Sequence, residues 1–288
     1  MIDFSKKKVL FSLEVFPPKD NYGLNAIYAS MGRFRALNPD YISVTYGAGG
    51  SAIGNTAEIA SDIQNKFGIT AAAHMICISS SKAAVDNALL QLKEYGIKNI
   101  LALRGDRRGE ATSGDFTYAS DLISYIKKSH DFEVSAACYP EGHTESPNLE
   151  NDLRVMKIKA DLGVSHFISQ LFYDNDDFYN LLDGAARLGI TTPIEAGIMP
   201  LTNPRQILRI ISLSGAKIPP KLAKIVSRFE HSPEAFMSAG INYAAEQITD
   251  LLANGVRGIH LYVMNNPVIA ERIAERVLPI IEGINSEN

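Results

Sequence analysis

Apolar residues in this chain fall into two patterns, short alternating runs and longer runs at helical spacing, and the two take turns from one end to the other. The first alternating run is Phe11-Ser12-Leu13-Glu14-Val15-Phe16, stopped by Pro17-Pro18. It predicts a strand with Phe11, Leu13 and Val15 on one face and Ser12, Glu14 and Phe16 on the other. Leu24, Ile27, Met31, Phe34 and Leu37 then predict a helix over 21–37, ended by Asn38-Pro39. Further strands are expected at 41–46, 70–78, 99–103, 133–139, 165–172, 193–198 and 258–263. Helices are expected near 53–67, 81–95, 118–129, 148–162 and 175–188, with another from Asn203-Pro204 and a last one opening at Pro267. Extra helical material fills 218–254. This alternation predicts an α/β fold, a single closed parallel (β/α)8 TIM barrel over 1–288 with a helical insertion before strand eight. An open doubly wound sheet is the alternative, but no G-x-G-x-x-G turn follows the first strand.

In such a barrel the chemistry belongs at the C-terminal strand ends. Read in order, those ends carry Glu14, Thr45, His74, Arg104 with Asp106, Tyr139 with Glu141 and His143, Gln170, Met199, and Tyr262 with Asn265. A carboxyl such as Glu14 on an apolar strand must be paired, solvated at a cleft or kept protonated; a structural bridge to an arginine is the plain alternative. No strand end supplies a lysine for Schiff-base chemistry. His74 and His143 have poor companions for a metal, so none is expected. Gly47-Ala48-Gly49-Gly50 serves equally as a phosphate turn or a flexible connection.

The net charge of −4 offers nothing to nucleic acid or an anionic membrane surface. The apolar runs are too short for a spanning helix and the start lacks a signal-peptide pattern, so a cytoplasmic protein is expected. Cys77 and Cys138 have no metal-binding or redox spacing and read as small buried hydrophobes.

Several segments, in order along the chain, carry a resemblance. They are Ser12-Leu13-Glu14-Val15-Phe16-Pro17-Pro18, Val44-Thr45-Tyr46-Gly47-Ala48-Gly49-Gly50, Leu103-Arg104-Gly105-Asp106 and Tyr118-Ala119-Ser120-Asp121-Leu122. Tyr139-Pro140-Glu141-Gly142-His143, Ile168-Ser169-Gln170-Leu171-Phe172-Tyr173-Asp174 and Gly197-Ile198-Met199-Pro200 complete the set. Together they resemble the methylenetetrahydrofolate reductases, in the bacterial form that consists of the catalytic domain. The resemblance implies FAD in the barrel mouth and reduction of 5,10-methylenetetrahydrofolate to 5-methyltetrahydrofolate. It also implies ping-pong kinetics with NADH or NADPH, a place in methionine biosynthesis, and a homo-oligomer.

By the same resemblance Glu14 is the general acid that opens the folate ring, a role for which its apolar surroundings are expected to raise its pKa. Asp106, expected on the same strand face as Arg104, supports the cationic intermediate; a surface pair between the two is the alternative. FAD contacts carry over to Thr45, Tyr46, Ala48, His74, Arg104, Gly105, Asp106, Tyr118, Ala119, Tyr139, His143, Asp152 and Lys159, with Arg104 and Lys159 suited to the diphosphate. Folate contacts carry over to Gln170, Gln206 and Tyr262, the last equally readable as a packed core residue. The chain departs from the family at Val155 and Ile158, where bacterial members have Asn and Arg, and at Asn266, where some have a cation. A flavin-free pterin methyltransferase barrel and a folate-binding subunit without turnover are the rival readings. A yellow protein distinguishes the first, and reoxidation of reduced flavin by methylenetetrahydrofolate the second.

Overall fold

The computed structural model describes residues 1–18, 21–46, 52–106 and 114–287. Eight parallel strands close into a barrel in sequence order, and β8 returns to pair with β1. The strands are β1 (Leu10–Val15), β2 (Tyr41–Val44), β3 (Ala71–Ile76), β4 (Asn99–Leu103), β5 (Glu133–Cys138), β6 (Phe167–Ser169), β7 (Ile194–Ile198) and β8 (Gly258–Tyr262). The helices between the first seven strands are α1 (Asn21–Ala36), α2 (Ala52–Asn65), α3 (Lys82–Glu94), α4 (Ala119–Ser129), α5 (Leu149–Asp161) and α6 (Asn175–Arg187). A 3₁₀ turn at Pro204–Gln206 leads into α7 (Ile207–Ser214). The insertion expected before strand eight is α8 (Pro220–Phe229) and α9 (Pro233–Ala253), and α10 (Pro267–Ser286) closes the chain.

Alternation along the strands builds the layers. Phe11, Leu13 and Val15 point outward and join Ile42, Val44, Ala71 and Ala73 against buried helix residues such as Ile27, Met31 and Phe34. Inside the barrel, Tyr41, Ala72, Leu101 and Ile168 form a smaller apolar layer. Several helix starts are fixed by side-chain caps: Ser81 Oγ accepts from Ala84 N at 3.2 Å, and Asn148 from Asn151 N at 2.9 Å.

Strand six is shorter than the apolar run suggests. It stops at Ser169 because polar side chains there satisfy main-chain groups: Ser169 Oγ accepts from Gly197 N at 2.9 Å, and Gln170 Oε1 from Leu171 N at 2.9 Å. Leu171 and Tyr173 turn away into a second apolar cluster with Leu201, Ala216, Leu222 and Phe236, which anchors the insertion. Gly240 of α9 lies so close to the chain after β7 that a Cβ would stand 1.8 Å from the Leu201 oxygen.

The seam between β1 and β8 is bound at both ends by asparagine amides. Asn265 accepts from Phe16 N and donates to Phe16 O, each at 2.9 Å, while Asn285 does the same with Val9, also at 2.9 Å. Among the described residues no helix is long and apolar enough to cross a membrane.

Candidate active site

Glu14 lies at the C-terminal end of β1 and faces inward, in register with Ser43 of β2 and Tyr262 of β8. Its Oε2 is 3.2 Å from His74 Nε2, 3.5 Å from His260 Nε2 and 3.4 Å from Ser43 Oγ. Apolar surroundings were expected to raise its pKa, and the structure corrects that expectation. Burial does push the carboxyl up, but His74 and His260 together outweigh it and hold it at about 2. The inward positions of β3 and β8 carry the imidazoles of His74 and His260, so the surroundings of the carboxyl are not purely apolar.

Deeper in the barrel Glu195, from the middle of β7, is fully buried. Ser12 Oγ is 2.9 Å from its Oε2, and the Tyr41 hydroxyl donates to its Oε1 at 2.6 Å. Burial raises the Glu195 pKa, with His260, Tyr41 and Ser12 opposing the rise. Ser12 Oγ also lies 2.6 Å from His260 Nδ1. Glu195, His260 and His166 were not identified from sequence. The available signal was a polar residue on the inward face of an otherwise apolar strand: Ser12 with Glu14, and His260 with Tyr262.

A cavity of about 530 Å³ opens between the ends of β4 and β5 and the starts of α4 and α5. Arg104, Tyr118, Ala119 and Tyr139 line one part, and His143, Asp152 and Lys159 another. The structure thus gathers seven of the residues carried over for the cofactor. Val155 and Ile158 belong to the same wall, so that part of the surface is apolar. Both nitrogens of the Arg104 fork meet Glu145, at 2.7 and 2.6 Å, so its partner is Glu145 and not Asp106. Lys159 is nearly buried, its Nζ donating to Ala137 O at 2.9 Å, and burial lowers its pKa. Asp152 accepts from His143 N at 2.9 Å, and the His143 ring stands edge-on to Tyr139 with centroids 4.8 Å apart.

Strand four ends at Leu103, and Gly105 takes a left-handed φ of 87°, so simple alternation does not extend from Arg104 to the exposed Asp106. A Cβ at Gly105 would also press on Ile78, 3.0 Å away. Thr45 and Tyr46 follow β2, with Thr45 N donating to Val15 O at 2.9 Å; neither lines the cavity. Ala48 lies outside the described residues. His74 and His143 belong to different clusters, and among the described residues no three His, Cys, Asp or Glu side chains are grouped to hold a metal. Both cysteines are free and buried.

A second cavity of about 1030 Å³ lies beyond β7 and β8, and Gln206, Tyr262, Met199 and Asn266 are in its wall. Gln170 is not among its lining residues. Tyr262 donates to Ser169 O at 2.7 Å, fixing the ring at the edge of the cavity. Asn266 caps α10, its Oδ1 accepting from Val268 N at 3.0 Å, so it has a helix-starting task.

A closed (β/α)8 barrel with two cavities at its strand ends and an inward carboxyl between imidazoles defines a barrel protein that works at its C-terminal mouth. The family model for methylenetetrahydrofolate reductase matches residues 1–278, and the chain belongs to that family. It is 36% identical over 274 residues to the probable methylenetetrahydrofolate reductase (NADH) of Oryza sativa subsp. japonica, covering 90% of this chain and 46% of the rice protein. The chain therefore spans about half the length of that plant relative. It is 31% identical over 266 residues to the 5,10-methylenetetrahydrofolate reductase of Pectobacterium carotovorum subsp. carotovorum, covering 92% of this chain and 89% of the bacterial one. Among solved structures, a protein from Clostridium thermocellum described as binding two copies of 5-methyl-5,6,7,8-tetrahydrofolic acid superimposes with a TM-score of 0.64. It covers 96% of both chains at 16% identity, a likeness of fold.

Proposed function

We propose that this barrel reduces 5,10-methylenetetrahydrofolate to 5-methyltetrahydrofolate, with FAD held at the mouth and a reduced nicotinamide as donor in a ping-pong cycle. The observation that carries the reading is Glu14, an acid at the mouth with two imidazoles on its carboxyl. Family membership and the name of the Pectobacterium relative support the choice of substrate.

The residues fit the cofactor. The 530 Å³ cavity joins a guanidinium, an ammonium and aromatic rings, the groups that suit a diphosphate and flat ring systems. Arg104, Tyr118, Tyr139, His143, Asp152 and Lys159 hold the dinucleotide, with Thr45, Tyr46, Ala48, Ala119 and Gly105 as further contacts. When bound, FAD supplies the hydride.

The protein's own part is to place a proton. In the open mouth Glu14 is ionised. Covering the mouth removes water and makes the carboxylate's charge costly, which favours the neutral acid with a proton on Glu14 Oε2. Glu14 then protonates a ring nitrogen of the folate and opens its five-membered ring. The exposed carboxylate of Asp106 favours the resulting cation, while Gln170, Gln206 and Tyr262 orient the pterin.

Glu14→Gln tests this. The variant is still bleached by NADH or NADPH, but its reoxidation by methylenetetrahydrofolate slows by roughly 10²–10⁴, the usual contribution of general acid catalysis. Folate reduction near the wild-type rate sinks the assignment.

A further inference from the structure

Glu195 takes no part in the reaction just outlined, yet it occupies the centre of the barrel. The titratable groups that face it are Tyr41 from β2, His166 at the foot of β6, and His260 and Tyr262 from β8, with Asp40 ahead of β2 adding negative charge. No lysine or arginine is paired with it among the described residues. Enclosure raises its pKa and so favours the neutral form, while His260, Tyr41 and Ser12 oppose the rise.

From Glu195 a line of polar atoms runs toward the mouth. Glu195 Oε2 is 2.9 Å from Ser12 Oγ, Ser12 Oγ is 2.6 Å from His260 Nδ1, and His260 Nε2 is 3.5 Å from Glu14 Oε2. Ser43 Oγ stands beside the last gap, 3.3 Å from His260 Nε2 and 3.4 Å from Glu14. In the other direction His166 Nε2 lies 3.4 Å from Glu195 Oε1, and His166 Nδ1 is 3.0 Å from Ser165 Oγ. Ser165 precedes β6 and is half-buried at the opposite end of the barrel. No gap along this line exceeds 3.5 Å.

We propose that Glu195 stores the proton used by Glu14, that Ser12 and His260 conduct it along the barrel axis, and that Ser165 and His166 restock it from the N-terminal end. In the forward pass the O–H bond on Glu195 Oε2 breaks as Ser12 Oγ takes the proton. The Ser12 O–H bond breaks as His260 Nδ1 takes its proton, and His260 Nε2–H breaks as Glu14 Oε2 becomes protonated. Glu195 ends as the carboxylate and Glu14 as the acid. Ser12 and His260 keep their charge, the imidazole having exchanged tautomers. Glu14 is ionised while the mouth is open; it takes this proton once ligands cover the mouth and make its charge costly, and restocking returns Glu195 to the neutral form. The proposal rests on the acid role of Glu14, through which Ser12, His260 and Glu195 act.

The test uses the flavin-loaded protein and the variants Ser12→Ala, Glu195→Gln and Glu14→Gln, followed by stopped flow from pH 6 to 8. Ser12→Ala and Glu195→Gln are expected to slow reoxidation by methylenetetrahydrofolate by about tenfold or more at neutral pH, a part of the full general-acid effect. Their deficit shrinks as the pH falls, and flavin reduction by the nicotinamide keeps its wild-type rate, which also reports that both variants fold. In infrared difference spectra at pH 7, a neutral-carboxyl carbonyl band is lost in Glu195→Gln and retained in Glu14→Gln. The relay is overturned if no such band is lost, if both relay variants reproduce the wild-type pH profile, or if both half-reactions slow equally. If Glu14→Gln itself reduces folate normally, the acid role falls first and the relay with it; a silent Ser12→Ala beside an inactive Glu14→Gln removes the relay alone.

Discussion

Replacing His166 isolates the cost of keeping an imidazole in the barrel interior. The ring is buried, tilted against Phe4 at 5.2 Å and edge-on to Tyr41 at 6.0 Å between centroids. Burial, and secondarily the charge of His260, pushes its pKa from an ordinary 6.5 down to about 3. An unfolded chain therefore binds a proton below pH 6.5 that the folded chain refuses, so acidification favours unfolding. The contribution of neutral His166 is intact above pH 6.5 and lost progressively until the folded state titrates near 3. Each pH unit in that window costs about 1.4 kcal/mol, so descending to pH 5 removes about 2 kcal/mol. His166→Gln has nothing to titrate there and escapes this loss, while every other ionisable group is common to both proteins. Urea unfolding followed by far-ultraviolet circular dichroism at pH 7, 6 and 5 measures the difference. Parallel decline of wild type and variant over that range refutes a neutral, buried His166.

Gly240→Ala forces a methyl to 1.8 Å from the Leu201 oxygen, and main chain on both sides leaves little room for adjustment. A loss of about 3 kcal/mol or a failure to fold is expected, read as a fall in thermal midpoint; an unchanged midpoint means that the chain after β7 yields freely. At the cofactor cavity, Arg104→Ala is expected to weaken FAD binding about tenfold or more, and Glu145→Gln to strengthen it by releasing the guanidinium. Quenching of flavin fluorescence on titration into the flavin-free protein gives both affinities, and equal affinities in the three proteins remove Arg104 from the site.

The barrel was legible because its signals are local. Alternation in Phe11–Phe16, the Pro17-Pro18 stop and helical spacing in Leu24–Leu37 need no long-range information, and each element lies within a few residues of its expected place. The expected strand six runs too far because Leu171 and Phe172 are as apolar as a strand, while Leu171 is buried against helices of the insertion and Phe172 stacks on Phe178 of α6. Glu14 was recognised, but its environment was not. Its pKa depends on His74 and His260, which are distant in sequence and meet it only when the barrel closes. Glu195 escaped notice for a related reason. A mid-strand acid looks misplaced until Ser12, Tyr41 and His260 are seen around it. Asp106 shows the limit of periodicity, since one left-handed glycine resets which way the next side chain points.

The paired amides at Val9 and Phe16 bear on how the molecule assembles. Asn265 and Asn285 each imitate an extra rung of sheet, one at either end of the first strand, using partners about 250 or more positions away along the polypeptide. A nascent chain that has made only its first seven strands has an open cylinder with the flanks of β1 unlatched. Ring closure must wait until residues 258–285 have left the ribosome, and a product cut short before residue 265 has lost both latches and with them its means of locking the first strand.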